Sequence, residues 1–281
     1  MLIKSYAKIN VSLKVLGRRE DGYHELELVN LPISLHDVVE ISRISAVDSY
    51  VTTDDPDLAQ LTENLASKAL SAMREAYHFS DNFEIVIHKG IPFAAGLGGG
   101  SSNAASVMLG VNKMLKLGAT YEDLCKIGLP LGTDIPYFLD PKPALLTGVG
   151  EKIMPIVCKK RYYCLLVKPE QGLSTKDVYA ASDRFPKARI DTDAVVQALA
   201  TGDDLLLEKA QGNDLLPAAE SLLPEVGQIF ASLKKQGFFL SCMTGSGSTC
   251  FALTDDGRKA KEGYHYFENQ GYITKLCRVM R

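Results

Sequence analysis

The stretch PFAAGLGGGSSNAA, residues 92–105, constrains this chain more than any other. Gly96, Gly98, Gly99 and Gly100 fall within five positions, directly ahead of an apolar, alanine-rich run. Glycine gives up more backbone freedom on folding than any other residue, so such a cluster implies close approach of another group to the main chain. Phe83, Ile85 and Ile87 alternate ahead of the loop, and Ala104, Val107, Met108, Val111, Met114 and Leu115 share one helical face after it. Strand, glycine loop and helix N-terminus are therefore predicted in that order. First-turn N–H groups lack internal acceptors, and the helix dipole adds about half a positive charge, so the loop reads as an anion cradle. By spacing alone it also reads as a turn that lets a helix pack tightly on a strand. It is not a Walker A loop, because no Lys follows the glycines, and a dinucleotide fingerprint fails because Ser101 or Asn103 stands where its third glycine belongs.

Elsewhere the pattern is mixed. Ala7, Ile9, Val11, Leu13 and Val15 alternate with Lys8, Asn10, Ser12 and Lys14, predicting a half-buried strand with one polar face. Asp21-Gly22 marks a turn, Leu26 and Leu28 resume alternation, and residues 37–44 read as a further strand. Leu58, Leu61, Leu65, Ala69 and Ala72 recur at helical spacing between Asp57 and Tyr77. Thr120 with Asp123 predicts a capped short helix. Residues 131–143, with a glycine and three prolines, read as mostly loop. A fresh strand follows at 162–167, then a loop to Ser174, a helix, a longer helical region over 214–236, and strand, glycine turn and strand in FFLSCM, TGSGS and TCFAL. The mixture predicts an α+β protein of two domains, 1–155 and 156–281, rather than regular βαβ alternation.

With 46% apolar and 23% charged residues and a net charge of −3, the composition is that of a globular chain with no basic excess for nucleic acid. The six cysteines form no CxxC pair and the five histidines are scattered, which argues against a zinc site or a disulfide framework. The alternating N-terminus does not read as a secretory leader, and no run approaches the ~18 apolar residues of a membrane span. The expectation is a soluble cytoplasmic protein.

Three further features bear on chemistry. Lys8 lies on the polar side of the first strand, where a solvated lysine fits equally. Asp134 sits in GTDIP, where a turn aspartate fits. TGSGST at 244–249 is a second glycine turn, which by itself is a plain hairpin.

Taken together, AKIN (7–10), PFAAGLGGGSS (92–102) and GSGS (245–248) resemble the three motifs of the GHMP family of small-molecule kinases, in the family's order. Residues 5–27, GLGGGSSNAA, LGTDIPYFL (131–139), GVGE (148–151) and GNDLL (212–216) resemble most closely the branch whose acceptor is a sugar alcohol linked to cytidine diphosphate. The resemblance implies a two-domain GHMP kinase fold, its N-terminal domain like domain 2 of ribosomal protein S5 and its C-terminal domain ferredoxin-like. It implies ATP as phosphoryl donor, with Mg²⁺ held mainly through the ATP phosphates and no protein metal site. Asp134 is then the base for the acceptor hydroxyl, and Lys8 bonds that carboxylate and the incoming hydroxyl or γ-phosphate. Pro92, Phe93, Ala94, Ala95, Gly96, Leu97, Gly98, Gly99, Gly100, Ser101 and Ser102 form the ATP-phosphate loop, with Asn64 and Lys89 toward the adenine. Tyr23 and His24 hold the cytosine with Tyr179 on its opposite side, while Asn10, Gly245, Ser246 and Gly247 contact the remainder of the substrate. The expected partner is a small molecule, with no nucleic acid and no membrane, and the chain works as a monomer or weak homodimer. This sequence departs from many members at ELVNLPISL (27–35), at Ser248 where proline is common, and at Cys250.

Overall fold

The period-two pattern near the N-terminus becomes β1 (Leu2–Arg18), and its apolar residues Ala7, Ile9 and Val11 are wholly buried. Its polar side is buried as well. Lys8, Asn10 and Ser12 are only 5%, 1% and 0% exposed, where alternation predicted a wetted face. A second covering layer, invisible to a local pattern, accounts for the difference.

The next strand, β2 (His24–Ile44), joins what read as two strands. Val29, Leu31 and Ile33 are fully buried inside the departing segment 27–35, as are Val39 and Ile41 beyond it.

The computed structural model describes residues 1–54 and 64–281. It divides into two compact units, discontinuous in sequence because β1 and β2 run through both: residues 1–7, 35–93 and 98–141 form one, residues 8–34, 94–97 and 142–281 the other.

In the first unit, β4 (Asn82–His88) pairs antiparallel with β2 from Val38↔His88 to Ile44↔Asn82, and parallel with β3 (Tyr50–Thr53). Helices α1 (Leu65–Tyr77) and α2 (Gly99–Leu115) pack on this sheet, and Val39, Ile41, Phe83, Ile85, Leu70, Val107 and Val111 form the core. The helix expected from Asp57 is described from Leu65, with Asn64 as its N-cap; Leu58 and Leu61 lie outside the described residues. α3 (Tyr121–Gly128) carries the expected capping box, Thr120 and Asp123 bonding each other's backbone reciprocally. The segment read as mostly loop contains α4 (Ile135–Leu139), wholly buried. Pro136 stands in its first turn, where a missing N–H costs nothing, so the proline starts this helix instead of breaking one.

In the second unit, β5 (Ala144–Gly148) pairs antiparallel with β2 over Leu26–Asn30 and with β6 (Lys152–Pro155). A four-stranded antiparallel sheet contains β7 (Tyr163–Lys168), β9 (Leu240–Met243), β10 (Cys250–Thr254) and β11 (Ile273–Arg278) in the order β11-β7-β10-β9. Numbered within the sheet, that order is 4-1-3-2, with helices between its first and second and its third and fourth strands: the expected ferredoxin-like arrangement. α5 (Thr175–Ser182) follows Ser174 as expected. Two helices went unread, α6 (Thr192–Thr201) and α7 (Asp204–Ala210), each capped by an aspartate accepting a first-turn N–H. The short β8 (Gly212–Asn213) runs parallel to β1. The helical region 214–236 is two helices, α8 (Leu216–Leu222) and α9 (Pro224–Lys235). Pro224 forces Leu223 into an extended conformation (φ −142°, ψ 89°), which ends one helix and starts the next. α10 (Gly257–Glu268) precedes β11. No helix among the described residues is long and apolar enough to cross a membrane.

Candidate active site

The glycine loop divides between the units: Pro92, Phe93 and Gly98–Ser102 belong to the first, Ala94–Leu97 to the second. Gly96 (φ +70°) and Gly98 (φ +74°) occupy the left-handed region that glycine alone enters without penalty. Ala94 stands there too (φ +49°), a conformation that costs an alanine roughly 1–2 kcal/mol. Gly98 is the N-cap of α2 and supplies no side-chain acceptor. The first-turn N–H groups of a 17-residue helix are thus left uncapped by a side chain, as an anion site requires.

Within the first unit, Lys89 stands against this terminus: its Nζ lies 3.5 Å from where a Cβ on Gly99 would project. The Lys89 ammonium pairs with the fully buried carboxylate of Asp37, whose other oxygen accepts the N–H groups of Gly90 and Ile91, each at 2.8 Å. Ser102 is 3% exposed, and its hydroxyl accepts from Ser5 (2.8 Å) and donates to the Tyr6 carbonyl (2.7 Å). Ser101 is the half-buried serine of the pair. Asn64 spends its side-chain oxygen on the N–H of Ser67 at 2.9 Å. Asp134 occupies the N-cap position of α4 without using its side chain as a cap. Burial first, and then the charge of Asp134, push the neighbouring Tyr137 phenol well above its ordinary value.

Within the second unit, all three expected motifs meet. The Lys8 N–H donates to the Leu97 carbonyl at 3.1 Å. The Lys8 ammonium donates to Asn10 Oδ1 at 2.7 Å. The same oxygen accepts the N–H of Gly245 at 2.8 Å, while Asn10 Nδ2 donates to Asn30 Oδ1 at 2.5 Å. Thr244 accepts from the Asn10 N–H (3.1 Å) and donates to the Gly96 carbonyl (3.2 Å). Gly96 packs so closely on the second turn that an added Cβ would collide with the Thr244 carbonyl and stand 2.9 Å from that of Gly247. Gly96→Ala is therefore expected to destabilise the protein by more than the ~1–2 kcal/mol of the backbone conformation alone, and chemical denaturation measures it. Ser246 bonds Thr175 at 2.9 Å, and Ser248 donates to the Gln171 carbonyl at 2.9 Å. The departure at 248 thus stabilises the turn from outside, and segment 27–35 reaches the motif network through Asn30.

His24 and Tyr179 are brought together as expected, but against each other: their rings stack at 5.0 Å, 29° from parallel. A base sandwiched between two rings needs them about 7 Å apart, two contacts of ~3.5 Å, so this pair leaves no room for a third ring. Tyr23 is 58% exposed and presents an uncovered face. Arg19, joined by the Tyr23 N–H, holds the Asp21 carboxyl of that turn below its usual value.

Sequence reading gave no role to Thr244, Asn30, Asn213 or Asp37, each a buried polar residue. Thr244 and Asn213 lie in motifs it singled out, TGSGST and GNDLL, whereas for Asn30 and Asp37 only polarity in a strand hinted at a role.

Two family models match the chain: the GHMP kinases N terminal domain over residues 64–140 and the GHMP kinases C terminal over residues 195–273. The chain is 35% identical over 286 residues to the 4-diphosphocytidyl-2-C-methyl-D-erythritol kinase of Exiguobacterium sibiricum, covering 98% of each. It is 38% identical over 275 residues to that of Clostridium beijerinckii, covering 94% of each. A crystal structure of 4-(cytidine 5'-diphospho)-2C-methyl-D-erythritol kinase superposes with a TM-score of 0.84 at 30% identity, covering all of both chains. Motifs, ferredoxin-like sheet and near-complete matches agree: the chain belongs to the GHMP kinase family.

Proposed function

We propose that this chain is an ATP-dependent kinase that phosphorylates the 2-hydroxyl of 4-diphosphocytidyl-2-C-methyl-D-erythritol, a step of non-mevalonate isoprenoid synthesis. The full-length similarity to kinases of that name supports the substrate, and one structural observation carries the site: Lys8, the Gly96 carbonyl and the second glycine turn share a buried hydrogen-bond network centred on Asn10. The presence of both Lys8 and Asp134 favours catalysis over binding alone, which has no need of a base beside a lysine.

Phosphoryl transfer requires a positioned hydroxyl, compensation of charge on the transferring group and an acceptor for the proton. In this proposal Asp134 takes the proton, the Lys8 ammonium stabilises charge on the group in flight, and the N-terminus of α2 holds the ATP phosphates. Gly96 to Ser101 bring the backbone close to them, with Pro92, Phe93, Ala94 and Ala95 framing the loop and Asn64 and Lys89 toward the nucleoside. Tyr23 and the outer faces of the stacked His24 and Tyr179 rings supply flat surfaces for the cytosine, and Asn10, Gly245, Ser246 and Gly247 shape the place of the rest of the acceptor. Among the described residues no cluster of His, Cys, Asp or Glu could hold a metal. Mg²⁺ would be carried mainly on the nucleotide phosphates, where it would neutralise phosphate charge. As functional domains we propose 1–155, with the phosphate loop, and 156–281, working in the cytoplasm as a monomer or weak homodimer.

ADP release is measured from Mg-ATP with the cytidine-linked acceptor, homoserine and mevalonate in parallel. Turnover confined to the first is expected. Turnover confined to another acceptor overturns the substrate and keeps the phosphate chemistry; none with any acceptor overturns the kinase reading.

A further inference from the structure

The GNDLL segment, residues 212–216, matches the family pattern but enters none of the chemistry above. We propose that Asn213 is a positioning residue for phosphoryl transfer, setting the Lys8 ammonium through Gly245 and Asn10; the inference rests on the kinase reading. Asn213 is 4% exposed. Its Nδ2 donates one hydrogen to the Met243 carbonyl (2.7 Å) and the other to the Gly245 carbonyl (2.9 Å), and its Oδ1 accepts the Leu215 N–H (2.8 Å). One amide thus grips the glycine turn at its entry and inside it. The grip has a firm base. β8 is paired to β1 at Leu13↔Asn213, and next to it the buried Asp214 accepts the N–H groups of Val15 (2.8 Å) and Ala188 (2.6 Å).

The turn needs such a hold, because Gly245 (φ +57°) and Gly247 (φ +83°) have no side chains to lock it. The consequence reaches Lys8 in two bonds. The Gly245 N–H fixes the oxygen of Asn10, and that oxygen is the acceptor of the Lys8 ammonium. With Nδ2 of Asn10 held by Asn30, the Asn10 amide cannot flip without losing bonds on both sides. Asn213 therefore holds Gly245 where its N–H keeps the Asn10 oxygen toward Lys8.

Asn213→Asp tests this in the full chain. The carboxylate keeps the shape and the acceptor for Leu215, but turns lone pairs toward the Met243 and Gly245 carbonyls. Amide hydrogen exchange at Gly245 is expected to accelerate at least about tenfold, with the β10 amides unchanged. kcat is expected to fall about 10- to 100-fold, by analogy with residues that orient metal ligands, with the KM for ATP within about twofold. The Asn10→Ala/Asn213→Asp double variant is expected to be no slower than Asn10→Ala alone, because both act through one bond. Unchanged protection at Gly245, or losses that multiply, overturns the proposal. Asn213→Ser, which retains an acceptor but cannot span both carbonyls, reads the same exchange if the aspartate variant fails to fold. Wild-type protein inert toward every acceptor overturns the kinase reading, and Gly245 exchange still decides whether Asn213 holds the turn.

Discussion

Asp134→Asn lowers kcat by about 10²–10⁴-fold, the range a general base supplies, while ATP binding stays within a few fold. The size of the effect follows from the chemistry, since an amide cannot accept the hydroxyl proton and no change in the phosphate loop compensates. The specificity of the effect follows from the structure. Asp134 sits at the start of α4 but its side chain does not cap that helix, so the substitution removes no cap and the fold is expected to survive. Single-turnover phosphoryl transfer and equilibrium binding of a non-hydrolysable ATP analogue separate the two quantities. A variant that retains a tenth or more of wild-type kcat removes Asp134 from the role of base.

Lys8→Met costs about 10²–10³ in kcat, or about 3–4 kcal/mol of transition-state stabilisation, the amount typical of a lost buried charge donor. Methionine fills the space of the aliphatic stem, which matters at a position only 5% exposed. The backbone bond from residue 8 to the Leu97 carbonyl is indifferent to the side chain, and Asn10 Oδ1 still receives the Gly245 N–H. The Asn10 oxygen is not orphaned, and stability is expected to change less than turnover. Parallel urea unfolding and kcat measurements check this. A loss of turnover matched by an equal loss of stability would show Lys8 to be structural. Lys8→Arg is expected not to rescue, because a planar fork cannot take the place of a compact ammonium bonded to one amide oxygen.

Much of the site was legible because its motifs are local. Four glycines before an apolar helix announce a strand, a tight loop and a helix N-terminus from spacing alone, since the constraint acts within a dozen residues. The alternation of Ala7, Ile9 and Val11 and the capping box at Thr120 and Asp123 are of the same kind, and both reappear in the fold. The family resemblance added the roles of Lys8 and Asp134, which no spacing rule contains. Prolines misled the reading in opposite ways. Pro136 signalled loop and starts a helix, whereas Pro224 was absorbed into a helical region and divides it. The same residue type breaks or begins a helix depending on whether a turn already precedes it.

What this sequence determined by itself was therefore the local elements: the alternation of β1, the glycine loop with its following helix, and the capping box at Thr120 and Asp123. The tertiary structure alone decided how the site residues are held. Alternation on β1 reports one apolar face, but burial of Lys8, Asn10 and Ser12 depends on what covers the other. Asn10 bonds Thr244 across 234 residues, and His24 closes on Tyr179 from a different element. Such bonds form because the packed sheets bring remote backbone groups into a dry interior, where each polar atom must find a partner or cost stability. No window of sequence contains both partners, so only the folded chain could reveal them.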